Sequence, residues 1–401
     1  MNSWRRIPAY GWGLVWVCIF LAAFGAEQEV TAQSGWTIPS VAPVLVNSSF
    51  ECSQGYVVDQ SRVDDEVLIP DGWSLLYRSG SPIVASTRLR YRHGVCDDTG
   101  GLPWVEKFDG QDSLTILSED IEWTDAPGKP FDVVLYQQVP ATVGGVYSLS
   151  GWLLSVCGNN HKPFDCPEGN YIAKYIGLDP NGGTDPDADS VVWVENLNNF
   201  VDADGERVGW QNMYTAVRAL SPTVTVFARI ASPYQWHGNL AFIDAFSLVR
   251  GPLSALPALP EEVEGSEVEV AWTGQQSPDV LQTPGSTHEL LFDVQVRYGA
   301  SGEWRELVSN AVGPGQTTFT ARCLGSAYEF RVRARAEQPE GSGGVWPNQR
   351  YPGVWSDPVS VYFAEPSPES GPLTPAEPSP PTGMEGPVRL FIPSLAKTTE
   401  C

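Results

Sequence analysis

Beyond residue 40 the chain alternates. YSLSGWLL (147–154), YIAKYIGL (171–178), SVVWVE (190–195), TVTVFARI (223–230) and LAFIDAFSLV (240–249) carry apolar side chains at every second position, with Gly, Pro, Asn and Asp between the segments. The rhythm returns in EVEVAWTG (267–274), LFDVQVRYG (291–299), TFTARC (318–323) and AYEFRVRARA (327–336). A period of two sends successive side chains to opposite faces of a strand, so these segments predict half-buried strands. Helical spacing is almost absent. Many short strands separated by turn residues predict an all-β chain built of sandwiches or barrels.

Parity within the segments sorts side chains by face. In YIAKYIGL the inward set is Ile172, Ile176 and Leu178, which turns Tyr171 and Tyr175 the other way. In AYEFRVRARA, Tyr328, Phe330, Val332 and Ala334 face inward and Arg331, Arg333 and Arg335 outward. That arginine stripe reads either as an anion-binding face or, preferably, as guanidinium groups stacked on Trp346 or Trp355. Asp244 shares the parity of Leu240, Phe242, Phe246 and Leu248, which predicts a carboxylate pointing into the core, where it needs compensation. Cys323 shares the parity of Phe319 and Ala321 and is predicted to be a buried free thiol.

Interruptions in the pattern predict the organisation. Trp4-Arg5-Arg6 followed by the apolar run Tyr10 to Ala26 reads as a signal peptide over 1–32, with an uncleaved anchor as the alternative. The Pro-spaced stretch 251–260 marks a seam, because proline removes ladder donors, and it divides a domain over 37–251 from one over 261–364. Residues 365–387 form a Pro-rich acidic spacer, expected to be extended and unpacked, and 388–401 a short tail that is a candidate route of cell-surface attachment.

Charge and cysteine content narrow the function. With 48 acidic against 24 basic residues the formal charge is −24, which argues against a nucleic-acid partner. Six cysteines follow the leader, and in an exported chain they can pair: Cys157 with Cys166 around GNNHKPFD, and Cys52 with Cys96. Zinc held by Cys157, His161 and Cys166 is the rival for the first pair.

VNSSFE (46–51), IPDGW (69–73), FDGQDSLTI (108–116), YQQVPATVGGVYSLSGWL (136–153) and FIDAFSLV (242–249) together resemble jelly-roll modules of the carbohydrate-binding and galactose-binding type. Trp272, the run Leu324 to Ala334 and Trp355-Ser356-Asp357-Pro358 are similar to a fibronectin type III domain, an Ig-like sandwich. The resemblance implies two successive β-sandwiches, a corner tyrosine at Tyr328 whose hydroxyl ties back to the chain, and a role for the second domain in spacing or presenting the first. It also implies a glycan or cell-envelope polysaccharide as ligand, stacked on aromatic rings: Tyr175, Trp193, Trp210, Tyr234 and Trp236, with Tyr214 nearby and Asn239 and Gln211 as hydroxyl partners. For any single ring, packing under the insertions is the rival. A structural Ca²⁺ joining the first and last strands of such modules would match Glu51 and Asp244.

Two further patterns point away from chemistry. LDPNGGTDPDADSVVW (178–193) starts like a calcium loop, yet counting from Asp185 puts Ser190 and Asn196 where an EF-hand needs Gly and Glu, so Asp179 to Ser190 reads as a solvated hairpin turn. The chain has only four histidines and no recognisable nucleophile turn, and Glu119 and Glu122 fall on opposite strand faces. The sequence therefore reads as a secreted or cell-surface, non-enzymatic glycan-binding protein; a structural or adhesive envelope protein and a jelly-roll glycosidase are the alternatives.

Overall fold

A computed structural model describes residues 42–59, 67–91, 96, 106–118, 129–156, 171–198, 209–233, 239–281, 287–338 and 349–366. The expected leader, the linker beyond residue 366 and the tail lie outside these residues, as does the Cys157–Cys166 pair. In chain order the strands are β1 (Tyr56–Val58), β2 (Leu68–Pro70), β3 (Ser74–Ser79), β4 (Ile83–Ser86), β5 (Leu114–Leu117), β6 (Phe131–Pro140), β7 (Val146–Val156), β8 (Ala173–Asp179), β9 (Val192–Asn196), β10 (Gln211–Arg218), β11 (Thr223–Ser232) and β12 (Leu240–Arg250). Then follow β13 (Leu253–Ala255), β14 (Glu262–Glu264), β15 (Glu267–Gln275), β16 (Glu289–Tyr298), β17 (Arg305–Val312), β18 (Gly315–Thr320), β19 (Ser326–Glu337), β20 (Arg350–Pro352) and β21 (Val359–Ala364). Among the described residues two short α-helices, α1 (Thr87–Tyr91) and α2 (Pro278–Leu281), and a 3-10 turn over Cys52–Gln54 accompany them.

The chain is an all-β protein in which no strand up to β12 pairs with one after it. The first set forms two five-stranded sheets, β10-β7-β12-β5-β4 and β3-β6-β11-β8-β9, plus the hairpin β1-β2; the second forms β13-β15-β18 facing β14-β21-β19-β16-β17, with β20 paired to β19. Inward residues of both first sheets, among them Leu135, Leu149, Leu153, Ile176, Val226 and Ile243, build one core. The Pro-spaced seam is not a loose tether. Its residues 253–255 pair with β15 at a sheet edge, where missing proline donors are tolerated, and Leu253 and Leu256 are buried.

The second sandwich follows the predicted parity. Tyr328, Phe330, Val332 and Ala334 are buried, and the backbone N–H of Cys323 donates to the Tyr328 hydroxyl over 3.0 Å. Arg331 and Arg333 stack on Trp355 at 4.5 and 4.6 Å, and Arg331 also lies over Trp304 at 4.1 Å. Arg335 departs from the stacking pattern and pairs with Asp293 and Glu337. Cys323 is buried as parity predicts, but the free-thiol expectation is wrong: it is disulfide-bonded, with its partner cysteine outside the described residues.

The sandwiches are clamped together. Arg250, at the end of β12, makes a two-pronged ion pair with Asp279 of α2, with Nε to Oδ1 at 2.9 Å and its backbone N–H to Oδ2 at 2.7 Å. Val249 of the first sandwich packs with Val280, Ala336 and Tyr351 of the second. The Arg350 backbone N–H donates to Asn212 and its guanidinium to the Tyr214 hydroxyl, both at 3.1 Å.

One core position breaks the apolar pattern. Lys174 shares the inward parity of Ile172 and Ile176 and is fully buried; its ammonium donates to Ser155 Oγ (2.7 Å) and the Asn198 carbonyl (2.6 Å). Burial pushes the amine down to about 7 from its ordinary 10.5. Between those values the folded chain sheds a proton that the unfolded chain keeps, so this group makes stability rise with pH across that window. Against Lys174→Met, a substitution of similar volume, the wild type should gain on the order of a few kcal/mol between pH 7 and 10. Denaturant melts of both proteins across that range measure the difference; parallel curves would contradict the assignment.

Candidate functional site

The outer face of sheet β3-β6-β11-β8-β9 carries two adjacent rows of side chains. In the first row the register pairs Tyr136 with Phe227, Phe227 with Gly177 and Gly177 with Trp193. Three aromatic residues and one glycine therefore cross four strands. The glycine has a steric reason. A Cβ on Gly177 would meet Trp193 Cε3 at 2.7 Å and Cζ3 at 2.9 Å, so the indole lies down on the β8 backbone only where there is no side chain. Trp193 is fixed by its tilt against Phe227 (centroids 5.5 Å), by edge contact with Tyr175 (6.1 Å) and by an Nε1–H bond to the Pro186 carbonyl (3.2 Å). It remains half-buried, one side on the sheet.

The second row is polar. Asp132 of β6 holds Arg229 of β11 in a bidentate pair (2.9 and 2.7 Å) and accepts Arg78 Nε of β3 at 3.2 Å. The Arg229 guanidinium lies 4.8 Å over the Tyr175 ring, and the Tyr175 hydroxyl donates to Glu195 of β9 at 2.6 Å. Burial, then the bond to Glu195, push that hydroxyl up to about 12, so it stays a donor at neutral pH. The arrangement sets a flat apolar surface beside a fixed guanidinium and an exposed carboxylate. Flat C–H faces can stack on the indole while hydroxyl groups reach the polar row.

The acidic segment before Trp193 frames this face. It is the connection between the antiparallel neighbours β8 and β9, as a hairpin turn requires, but it is not fully solvated. Asp179 is buried and accepts the backbone N–H groups of Asn181 (3.0 Å) and Gly183 (2.7 Å), closing the turn, while Asp187 reaches Arg78 at 2.6 Å.

The predicted aromatic set divides. Tyr175 and Trp193 meet on the outer face, whereas Trp210 does not reach it. Trp210 packs against Phe108 and Phe242 in a second apolar layer over the other sheet, with Trp152 stacked on Phe108 at 4.0 Å, so it is a packing residue. Tyr234 and Trp236 lie outside the described residues. Asn239 is buried and donates to Ser232, and Gln211 sits on β10, away from the aromatic row. Sequence reasoning missed Tyr136, Phe227, Arg229 and Gly177. The alternation in TVTVFARI held the signal for two of them, since Phe227 and Arg229 take the parity opposite to Val226, Ala228 and Ile230.

The two residues matched to a cation site both bond to the 108–111 segment. A bulge between Asp244 and Ser247, with Ala245 at φ 49°, reverses the parity of β12. Leu240 and Phe242 therefore pack in the outer layer and Phe246 and Leu248 in the main core. Asp244 is buried beneath the 108–110 turn and accepts three backbone N–H groups, from Phe108 (2.8 Å), Asp109 (2.9 Å) and Ala245 (2.7 Å). Burial pushes its carboxyl up, and those donors oppose the shift.

Glu51 accepts from the Gln111 N–H at 3.0 Å and tucks into the space where a Gly110 Cβ would sit. Burial and the neighbouring Asp112 carboxylate push Glu51 up as well. Asp112, which the sequence reading did not single out, accepts from the Cys52 N–H (3.0 Å) and Ser86 Oγ (2.7 Å). Phe50, beside Glu51, also has a left-handed backbone (φ 53°), an uncommon state for a bulky residue. The expected Cys52–Cys96 disulfide is present next to this pocket, with Cα atoms 5.7 Å apart. Among the described residues no three His, Cys, Asp or Glu side chains form a ready-made metal cage.

No family model matches the chain, and no curated protein matches it. Solved structures are similar in part. The carbohydrate-binding module TmCBM61, determined with β-1,4-galactotriose, is 15% identical over 45% of this chain and 89% of its own, with a TM-score of 0.28. The K2 cleaved adhesin domain of Lys-gingipain is 14% identical over 45% and 90%, TM-score 0.25. A β-1,2-glucanase from Parabacteroides distasonis is 14% identical over 73% and 37%, TM-score 0.24. At these scores the similarities bear on neither ligand nor reaction.

The close approach of Trp193 to Gly177 is testable by itself. Gly177→Ala should destabilise the fold by ~1–3 kcal/mol, the range for overpacking, and should change the Trp193 near-ultraviolet signal. In a Trp193→Ala background the same substitution should be nearly neutral, because the clash partner is gone. Equal costs in both backgrounds would place the indole elsewhere.

Proposed function

We propose that this is a secreted or cell-surface, non-catalytic protein that binds a glycan chain on the outer face of the β3-β6-β11-β8-β9 sheet. The observation that carries the reading is the half-exposed Trp193 indole, pinned over Gly177 and bordered by Arg229 and Glu195. An indole held this way offers a stacking surface whose orientation is fixed before ligand arrives, which lowers the ordering entropy on binding. Tyr175 serves chiefly as a support, since Arg229 covers one side of its ring and Glu195 holds its hydroxyl. An extracytoplasmic location is supported by the Cys52–Cys96 bridge and the bonded Cys323, which persist in oxidising compartments.

The reading extends to one structural cation. Glu51 and Asp244 supply only oxygen donors, as Ca²⁺ requires, and a divalent ion would offset the burial and the neighbouring Asp112 and Asp244 charges that raise the Glu51 carboxyl. The left-handed Phe50 and Ala245 beside two of these carboxylates fit a site that holds its backbone under strain. The ion's role there is to tie the 46–51 segment to β12, behind the glycan-binding sandwich.

Two experiments check these statements. On a glycan array followed by calorimetry, the full chain should bind, and Trp193→Ala should weaken binding by ~1–2 kcal/mol with its fold intact. A parent without glycan affinity whose Trp193→Ala variant only melts earlier would assign the indole to packing, and release of reducing sugar would make the protein an enzyme. Calcium added to chelator-treated protein should raise the melting temperature, Glu51→Gln should remove most of that rise, and Asp187→Ala should leave it. A calcium-indifferent parent, or a response lost only in Asp187→Ala, would contradict the cation site.

A further inference from the structure

β9 and β10 are the edge strands of the two sheets of the first sandwich, and they lie side by side. Against them stands a wall from the second sandwich, made by residues 352–355 and Arg333. The space between is a groove of about 540 Å³, within the range of small-ligand sites. Its chemistry is mixed. Trp355 supplies a half-buried aromatic ring and Arg333 a guanidinium from the second sandwich, while Glu195 and Asn196 supply a carboxylate and an amide from the first; Asn212 and Tyr214 line it as well but are engaged by Arg350.

We infer that this groove is a second part of the glycan site, so that the second sandwich is a component of the binding surface and not a spacer. The inference rests on the glycan reading of the outer face and extends it by a ligand class: a neutral polysaccharide chain longer than the aromatic row alone can hold. Continuity is the first support. Glu195 is common to both places, since it accepts from the Tyr175 hydroxyl at the edge of the aromatic face and also lines the groove.

The wall is also rigidly placed. Arg350, from the strand leading into it, bonds to Asn212 and Tyr214 on the opposite side, and Arg218 of β10 approaches Asp357 at 3.8 Å. Trp355 is held by Arg331 and Arg333, and Arg333 is itself anchored to Asp293 at 3.0 Å, with no acceptor for its Nε among the described residues. Neutrality follows from charge. Among the described residues the lining holds one cation, Arg333, and one exposed carboxylate, Glu195, so the groove has no surplus of positive charge for an anionic glycan, and the chain as a whole is strongly acidic.

Calorimetry on the full chain with cello-, xylo-, manno- and β-1,4-galacto-oligosaccharides, from dimer to octamer, tests the inference. For the oligosaccharide type that binds, the longer members should bind about tenfold tighter than the trimer, about 1.4 kcal/mol from the contacts the groove adds. Trp355→Ala and Arg333→Gln should remove that gain and leave trimer affinity unchanged. Because both side chains also support the second sandwich, Ala216→Trp provides a variant that fills the groove from β10 without deleting any contact, and it should act the same way. Trp193→Ala should weaken trimer and octamer alike. A wild type whose affinity stops rising at the trimer, or a length gain that survives Ala216→Trp and Trp355→Ala, would overturn the groove and leave the aromatic face standing. No binding by any member would overturn both.

Discussion

The approach of an indole to a bare backbone governs the outer face of the first sandwich. Trp193 can lie down on β8 only because residue 177 has no side chain, and its position then determines how the neighbouring groups are used. Phe227 is sealed beneath it, Tyr175 meets it edge-on, and the β8–β9 turn bends back so that the Pro186 carbonyl can accept the indole N–H. The polar row completes the arrangement by holding Arg229 between Asp132 and the Tyr175 ring. Without the glycine the indole would have to stand off the sheet, and no flat surface would border the guanidinium and carboxylate.

The same sandwich treats its other face differently. Over sheet β10-β7-β12-β5-β4 the aromatic residues Phe108, Trp152 and Trp210 form a covered layer, so one sheet carries rings as packing and the other as surface. The distinction originates in what lies above each sheet. The 108–112 turn closes over the first, fastened by Asp244 through two of its backbone N–H groups, whereas among the described residues the short β8–β9 connection borders the second. Buried carboxylates and surface rings are thus two consequences of where loops fold back.

Parity made much of this legible. The strands in YIAKYIGL, TVTVFARI and AYEFRVRARA, the outward turn of Tyr175 and the stacking of Arg331 and Arg333 were readable from alternation, while the tie from Tyr328 was implied by the resemblance to a fibronectin type III domain. What parity could not show was its own reversal. The extra residue at the Asp244–Ser247 bulge sends Leu240 and Phe242 to one layer and Phe246 and Leu248 to another, so Asp244 is buried as its parity predicted but under the 108–110 turn rather than among Phe246 and Leu248. Nor could alternation distinguish Trp193 from Trp210, because both occupy strands or their ends and only the covering loop separates surface from packing. Lys174 is a third case: its inward parity was visible, but its acceptors come from β7 and from the end of β9, which local sequence does not connect.

Fusion of the two sandwiches adds a feature that belongs to neither. The Arg250–Asp279 pair and the Arg350 contacts hold the wall near Trp355 at a fixed distance from β10, so a cleft persists where a flexible linker would let the domains separate. The central claim nevertheless stands on the indole. Its most direct test is a heteronuclear NMR titration of the full chain with the best-binding oligosaccharide, following the side-chain N–H of each tryptophan. The account predicts that the Trp193 indole resonance moves with ligand occupancy while that of Trp210 stays in place. Saturable binding that leaves Trp193 unmoved would contradict it.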